Sequence, residues 1–267
     1  MTGRLAILAG EGELPRLLQA AVPDAVFVTF AGIDAMPPPG ARHLTAGFER
    51  LGELFAALHR EGVSELVFAG AMRRPVLDPA RFDATMHALA PRLMQAMGQG
   101  DDALLRTVAG VFEEQSFAVR GAHEVLPELV LKEGTLFGSP PGTGDLRDAE
   151  RAGAVLRALS PLDVGQAAVV AGGQVMGIET VQGTDAMLRF VGQTPAALWH
   201  KRGVMVKQPK QGQDLRFDMP VIGPATLRHA GAAGLAGVVV AAGQVLALDQ
   251  PALRRICKEC GLFLLAR

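Results

Sequence analysis

A chain of 267 residues, 49% of them hydrophobic and 20% charged, is long enough for two modest globular domains. Its net charge of -1 lacks the cationic excess that a phosphate-backbone surface needs, which argues against a nucleic-acid partner. Two cysteines exclude a disulfide framework and a four-cysteine zinc site, and no run of residues approaches the length of a membrane span.

The N-terminal sequence enters a strand pattern at once, without a charged leader and apolar core, so a cytoplasmic protein is expected. Residues 5–9 read as a buried strand, Gly10-Glu11-Gly12-Glu13-Leu14-Pro15 as a tight turn, and residues 15–21 as a helix. Glycines ahead of a helix N-terminus leave amides free to meet an anion or a base edge. Gly10, Gly12, Glu13, Leu14 and Pro15 are therefore candidate contacts for a nucleoside. The turn is not a dinucleotide fingerprint, because Pro15 stands where the third glycine belongs and Glu11 and Glu13 would repel a pyrophosphate.

Residues 26–30 form a second strand, and a Pro-rich turn over 36–40 leads to a third around His43-Leu44-Thr45. Leu51, Leu54, Phe55 and Leu58 fall at i, i+3, i+4 and i+7, the apolar stripe of a helix covering a sheet. Residues 65–69 make the next strand, followed at its carboxyl end by Gly70-Ala71-Met72-Arg73-Arg74-Pro75. Strand alternating with helix implies a Rossmann-like parallel sheet with ligand loops at one edge. Gly70 and one of Arg73 and Arg74 are candidate substrate contacts on that edge.

A helix over 82–97 carries Met86, Leu89, Leu93, Met94 and Met97, an apolar set expected to pack in the core, interrupted by Pro91. Gly100-Asp101-Asp102 opens a further helix running to Glu114. Acids in a first turn complement the helix dipole, and one of Asp101 and Asp102 is also a candidate ribose or metal ligand. Residues 117–121 complete the first sheet. The Gly- and Pro-dense stretch over 134–145 reads as a hinge, giving a first domain over 1–132, a linker over 133–149 and a smaller mixed α/β domain over 150–267.

The second half contains an internal echo. Val169-Val-Ala-Gly-Gly-Gln-Val-Met-Gly-Ile-Glu179 and Val239-Val-Ala-Ala-Gly-Gln-Val-Leu-Ala-Leu-Asp249 agree at six of eleven positions. Each reads as a hairpin that ends in an acid and leads into a helix. After the first copy, Gly183-Thr184-Asp185 supplies amides, a hydroxyl and a carboxylate at a helix start. Residues 203–206 form the strand that delivers Lys207.

The stretch from Lys207 to Thr226 then offers Lys207, Lys210 and Arg216 as cations and Asp214 and Asp218 as metal ligands or bases, followed by the rigid turn Gly223-Pro224 and Thr226 as a helix cap. That mixture suits a polyanionic substrate held with a divalent ion, with Lys207, Lys210 and Thr226 as candidate substrate contacts. Cys257 and Cys260 are spaced C-x-x-C near a helix end, where nothing lowers a thiol pKa, so they read as structural. There is no Gly-x-Ser-x-Gly, no paired-histidine zinc motif and no P-loop. Carboxylates, Lys, Arg and Gln remain, the set for oxygen-ligated magnesium and phosphoryl transfer to water.

The combination G-E-G-E-L-P, G-D-D-A-L-L-R, D-V-G-Q, E-x-x-x-G-T-D-A-M-L-R and K-x-x-K-x-x-Q-D-x-R-x-D-x-P-x-I-G-P resembles, in order and over essentially the full chain, the UDP-2,3-diacylglucosamine pyrophosphatases unrelated to the calcineurin-like enzymes. The resemblance implies hydrolysis of UDP-2,3-diacylglucosamine to UMP and 2,3-diacylglucosamine 1-phosphate in lipid A synthesis, with Mg2+, by a two-domain protein enclosing its substrate between the domains. It implies that Asp163, Gln166, Glu179, Thr184, Asp185, Lys207, Asp214 and Asp218 form the metal and phosphate constellation, with Glu179, Asp185, Asp214 and Asp218 as metal ligands. Residues 10–15 and the loop after Ala69 would meet the nucleotide or sugar. One departure stands out: Ala225 occupies a position where the resemblance leads one to expect an acid, which implies an impaired variant. Peripheral contact with the inner membrane through the acyl chains is expected, and a homodimer is compatible with the sequence. Two other classes predict different products: a catalytically silent sugar-nucleotide binding module, and a nucleotidyltransferase needing a second substrate.

Overall fold

The structure, a computed structural model, describes residues 3–72, 75–199 and 201–267, with Asp101 described by its backbone alone. The chain divides into two compact units, one of residues 1–127 with 214–218 and one of residues 128–213 with 219–267. Arg73 and Arg74, expected near a phosphate, lie outside the described residues.

The first unit runs β1 (Arg4–Ala9), α1 (Leu14–Ala21), β2 (Val26–Phe30), β3 (Arg42–Ala46), α2 (Leu51–Arg60), β4 (Val63–Ala69), α3 (Ala84–Met97), α4 (Asp101–Glu114), β5 (Ala118–Arg120) and the single turn α5 (Ala122–Val125). Its sheet has the order β3-β2-β1-β4-β5 with every pair parallel, the Rossmann-like arrangement expected. The order follows from burial. Strands β1 and β2 are covered on both faces and consist almost wholly of apolar residues, as central parallel strands must. Leu54, Phe55 and Leu58 of α2 close one face of this core. Asp83 caps α3 by accepting from Met86 N at 2.7 Å, and its other oxygen accepts from Gly52 N at 2.7 Å in the first turn of α2. Of the methionines of α3, Met86 is buried but Met94 is 70% exposed, so the apolar run does not pack as one core stripe.

Residues 214–218 join the first unit by packing and charge. Phe217 meets Phe68 edge to face, ring centroids 6.3 Å apart. Arg216 donates to both carboxylate oxygens of Asp214 and, at 2.6 Å, to Glu113 Oε1 of α4.

The second unit runs β6 (Leu136–Phe137), α6 (Thr143–Leu159), β7 (Ala167–Ala171), β8 (Gln174–Ile178), α7 (Thr184–Gly192), β9 (Val204–Lys207), β10 (Val221–Ile222), α8 (Pro224–Ala232), β11 (Gly237–Val240), β12 (Leu246–Ala247), α9 (Gln250–Cys260) and β13 (Phe263–Ala266). Its six-stranded sheet has the order β6-β13-β11-β9-β7-β8, parallel from β13 through β9 and antiparallel at both ends.

Two sequence expectations need correction here. The stretch over 134–145 is no linker: Leu136 and Phe137 pair with β13 as the edge strand, Phe137 is buried, and α6 begins at Thr143. Gly138 stands in this strand's exit with φ +81, where an added Cβ would lie 2.1 Å from Leu262 O, so the glycine marks close packing and not a flexible joint. The echo also yields only one hairpin. Strand β7 has a free side for β8, whereas both sides of β11 are occupied by β9 and β13. The second copy therefore leaves the sheet after Val240, and β12 pairs in parallel with β10.

Cys257 is fully buried, burial pushes its thiol up to about 11, and Cys260 is exposed on the same helix end. This agrees with a structural role. No helix among the described residues is long and apolar enough to cross a membrane.

The contacts of residues 214–218 predict that Arg216→Ala or Phe217→Ala exposes the segment. Losing charge-assisted hydrogen bonds or ring packing worth about 1–2 kcal/mol should raise the rate of limited proteolysis within residues 208–219 roughly 5- to 30-fold. Unchanged cleavage in both variants would show that other contacts hold the segment.

Candidate functional site

The carboxyl edge of each sheet gathers polar groups. In the first unit the loops after β1 and β4 are joined backbone to backbone: Gly10 N donates to Ala69 O at 2.7 Å, Glu11 N to Ala71 O at 2.7 Å, and Ala71 N to Glu11 O at 3.0 Å. A Cβ on Gly10 would come within 2.5 Å of Ala71 O, and one on Gly70, at φ +90, within 2.5 Å of Glu11 O. Both glycines are thus required by the closeness of the two chains, whatever binds there. Leu14 and Pro15 are buried in the first turn of α1, which leaves Gly12, at φ +102, and Glu13 exposed on this turn. Asp102 accepts from Arg106 Nε at 2.7 Å, one turn along α4, and the side chain of Asp101 lies outside what is described.

In the second unit the parallel strands bring two predicted groups to one place. Strand β8 is antiparallel to β7 and β7 to β9, so β8 and β9 end on the same edge, with Glu179 one residue beyond β8 and Lys207 at the end of β9. Lys207 lies opposite Ala167 on one side and Val240 on the other, in the middle of the sheet. Its side chain is only 6% exposed and Glu179's 11%. Thr184, buried in the first turn of α7, links them: its Oγ1 donates to Glu179 Oε1 at 2.6 Å and accepts a hydrogen bond from Lys207 Nζ. The ammonium stands 3.6 Å from Glu179 Oε1. Burial holds the Lys207 ammonium below the ordinary lysine value, and the Glu179 and Asp185 carboxylates oppose that shift in part.

The motif D-V-G-Q locks this arrangement from below. Gln166 N donates to Glu179 Oε2 at 3.0 Å, so both oxygens of Glu179 are engaged. Gly165 adopts φ +52, and a Cβ there would lie 2.0 Å from Glu179 O, a contact no side chain tolerates. Asp163 is also in the left-handed region, at φ 58, and its carboxylate pairs with the ammonium of Lys210. Gln166 Nε2 donates at 3.0 Å to Gln213 Oε1, which also accepts from Lys210 N at 2.9 Å. Gln213 is a member of this network that residue-by-residue reading did not single out. Its place in K-x-x-K-x-x-Q was the available signal.

Asp185, the next residue of α7, is 44% exposed, and its Oδ1 lies 3.2 Å from His229 Nδ1 on α8. Helix α8 starts with Gly223 as its N-cap and Pro224 in its first turn. Thr226 therefore falls inside the helix, buried and not in a capping position, because proline sets the helix start two residues earlier than the threonine. Ala225 is exposed in that first turn, which carries no acid.

Of the four carboxylates expected to ligate metal, Glu179 and Asp185 lie in the second unit. Asp214 and Asp218 belong to the first unit, where both oxygens of Asp214 accept from Arg216, and these bonds hold its carboxyl below the usual range. Asp218 N donates to Asp214 O at 3.2 Å in the same turn. Each oxygen of Glu179 accepts one hydrogen bond, and among the described residues no three His, Cys, Asp or Glu side chains converge. Magnesium, however, keeps several waters and is commonly bound by one or two carboxylates with substrate phosphate oxygens. Asp185, half exposed beside the buried cation, fits that mode.

Residues 4–129 match the family model for the LpxI N-terminal domain, and residues 132–265 that for the LpxI C-terminal domain. The chain is 39% identical, over 98% of its own length and 96% of the other's, to the UDP-2,3-diacylglucosamine pyrophosphatase LpxI of Caulobacter vibrioides.

The Lys207–Glu179 pair makes a stability prediction. Either Lys207→Met or Glu179→Leu leaves a buried charge unpaired and should cost about 3–5 kcal/mol in urea unfolding, while the double variant recovers much of that loss. The folded protein binds the Lys207 proton less tightly than the unfolded chain does. The cost of burying that charge is therefore present in full below the lowered value and is relieved as pH rises toward 10.5, so wild-type stability should gain on Lys207→Met across that alkaline interval. Additive losses in the double variant, or parallel pH curves, would contradict this account.

Proposed function

The chain belongs to the LpxI family, and we propose that it hydrolyses the diphosphate of UDP-2,3-diacylglucosamine to UMP and 2,3-diacylglucosamine 1-phosphate, with magnesium, in lipid A synthesis. Lys207 carries this reading: a nearly buried cation at the carboxyl edge of a sheet, beside the first turn of α7 and an exposed carboxylate, is suited to a phosphoryl group.

Lys207 has three N–H donors, of which one goes to Thr184 while Glu179 balances the charge from 3.6 Å; the ammonium thus keeps donor capacity for a phosphoryl oxygen. Glu179 and Thr184 hold the ammonium in place, so the charge needs no reorganisation when substrate charge develops. Asp185 would hold the magnesium ion and orient the attacking water. The ion, when bound, supplies Lewis-acid neutralisation of the phosphoryl oxygens. The attacked phosphorus is the one on the sugar side. The acyl chains lie at the cytoplasmic face of the inner membrane, with peripheral contact only.

Ala225 bears on rate. An acid in the first turn of α8 would complement the helix dipole and add a second oxygen ligand, so this chain is a slower variant of the family enzyme.

Incubation of the protein with UDP-2,3-diacylglucosamine tests the proposal. Release of UMP should require Mg2+ and cease with chelator, and oxygen from labelled water should appear in 2,3-diacylglucosamine 1-phosphate. Tight binding without UMP release would support a silent binding module, and product only with an added acceptor a nucleotidyltransferase. Ala225→Asp should raise kcat about ten-fold or more; unchanged turnover would remove the impaired-variant reading.

A further inference from the structure

Helices α7 and α8 pack against each other. Gly192 at the end of α7 lies against Ala233 at the end of α8, and His229 in the last turn of α8 faces Asp185 in the first turn of α7. Between them the two helices carry a single carboxylate, that of Asp185, because the sequence P-A-T-L-R-H-A-G-A of α8 has no acid. His229 stands four residues after Ala225, on the same face of α8 one turn further along. Its ring is partly buried, and the Nδ1 atom is closed off from solvent, with Asp185 Oδ1 at 3.2 Å as the group it faces. The contact is not in hydrogen-bond alignment.

We propose that His229 is a positioning residue for the reaction: its Nδ1–H holds the carboxylate of Asp185 in the orientation that meets the diphosphate and its magnesium ion. This rests on the functional reading above and extends it to a residue that the motifs do not include. Donation from Nδ1 fixes the ring in one tautomer and leaves one oxygen of Asp185 facing outward. A carboxylate on an exposed helix turn otherwise samples several rotamers, and only some of them face the substrate. With no acid at position 225, the protein has no second carboxylate on this helix pair to compensate for a misdirected Asp185.

The competing structural explanation is that His229 merely favours the last turn of α8 by its interaction with the helix dipole. The two differ in what substitution does. On the positioning account, His229→Leu lowers kcat about ten-fold or more with KM changed less than about two-fold, and His229→Asn, whose amide N–H occupies nearly the place of Nδ1–H, recovers most of the loss although both variants melt at similar temperatures. Independently of turnover, nitrogen-detected NMR of the free wild-type protein should show the neutral ring protonated at Nδ1, and Asp185→Ala should shift it toward the Nε2–H tautomer. Equal kcat in the leucine and asparagine variants, or a tautomer indifferent to Asp185, would overturn the proposal. Absence of UMP release by the wild type would overturn the functional reading instead, while the tautomer result would still decide whether the contact exists.

Discussion

A lysine ammonium buried in the middle of a sheet is costly unless its hydrogen-bond donors are occupied and its charge is balanced. The second unit is organised around meeting that cost for Lys207. Strand β9 delivers the side chain, β8 ends at the acid that balances it, and α7 starts at the threonine that bridges the two. The loop before β7 then supplies a backbone amide to the second oxygen of Glu179, which demands a glycine at position 165 for want of space. Four separate stretches of sequence are thereby committed to one ammonium group. A protein gains little stability from such a pair compared with apolar packing, so the pair adds weight to the proposal that the charge acts on a diphosphate.

Much of this was legible in the sequence. The alternation of apolar strands with the stripe of Leu51, Leu54, Phe55 and Leu58 specified the first sheet, because parallel strands need covering helices between them. Glu179, Thr184 and Lys207 were readable as polar groups at strand and helix ends, and the sheet brings these three together. The exceptions share a cause, which is that local pattern carries no record of what occupies a neighbour's edge. The copy of the β7–β8 motif at residues 239–249 has nearly the same residues but no free strand edge to fold back on. The Gly-Pro-rich stretch at 134–145 looks like a joint, yet the open edge of β13 recruits Leu136 and Phe137. His229 could not be found in advance, since only the packing of α7 on α8 places it against Asp185.

The glycines show the same division between local and long-range causes. Gly10 and Gly70 lie sixty residues apart in the chain yet are each required by the other's loop. A motif reading assigns them to a ligand, whereas their geometry already accounts for them by backbone contact. Gly12, with open space around its α-carbon, is the glycine of that turn whose surroundings leave room for something to bind. The two units thus present different chemistry at their strand ends. Among the described residues, the first offers joined backbone loops and the exposed Glu13, and the second offers a fixed cation, a bridging hydroxyl and one outward-facing acid.

The central claim is that the Lys207 ammonium, held by Thr184 and Glu179, acts on the diphosphate. The most direct measurement is kcat/KM for UMP release by Lys207→Met beside wild type, with folding verified by circular dichroism. A fall of about 10²- to 10³-fold in a folded variant is the predicted result. A folded Lys207→Met protein that turns over substrate as fast as wild type would show that the buried cation is structural and that the chemistry lies elsewhere.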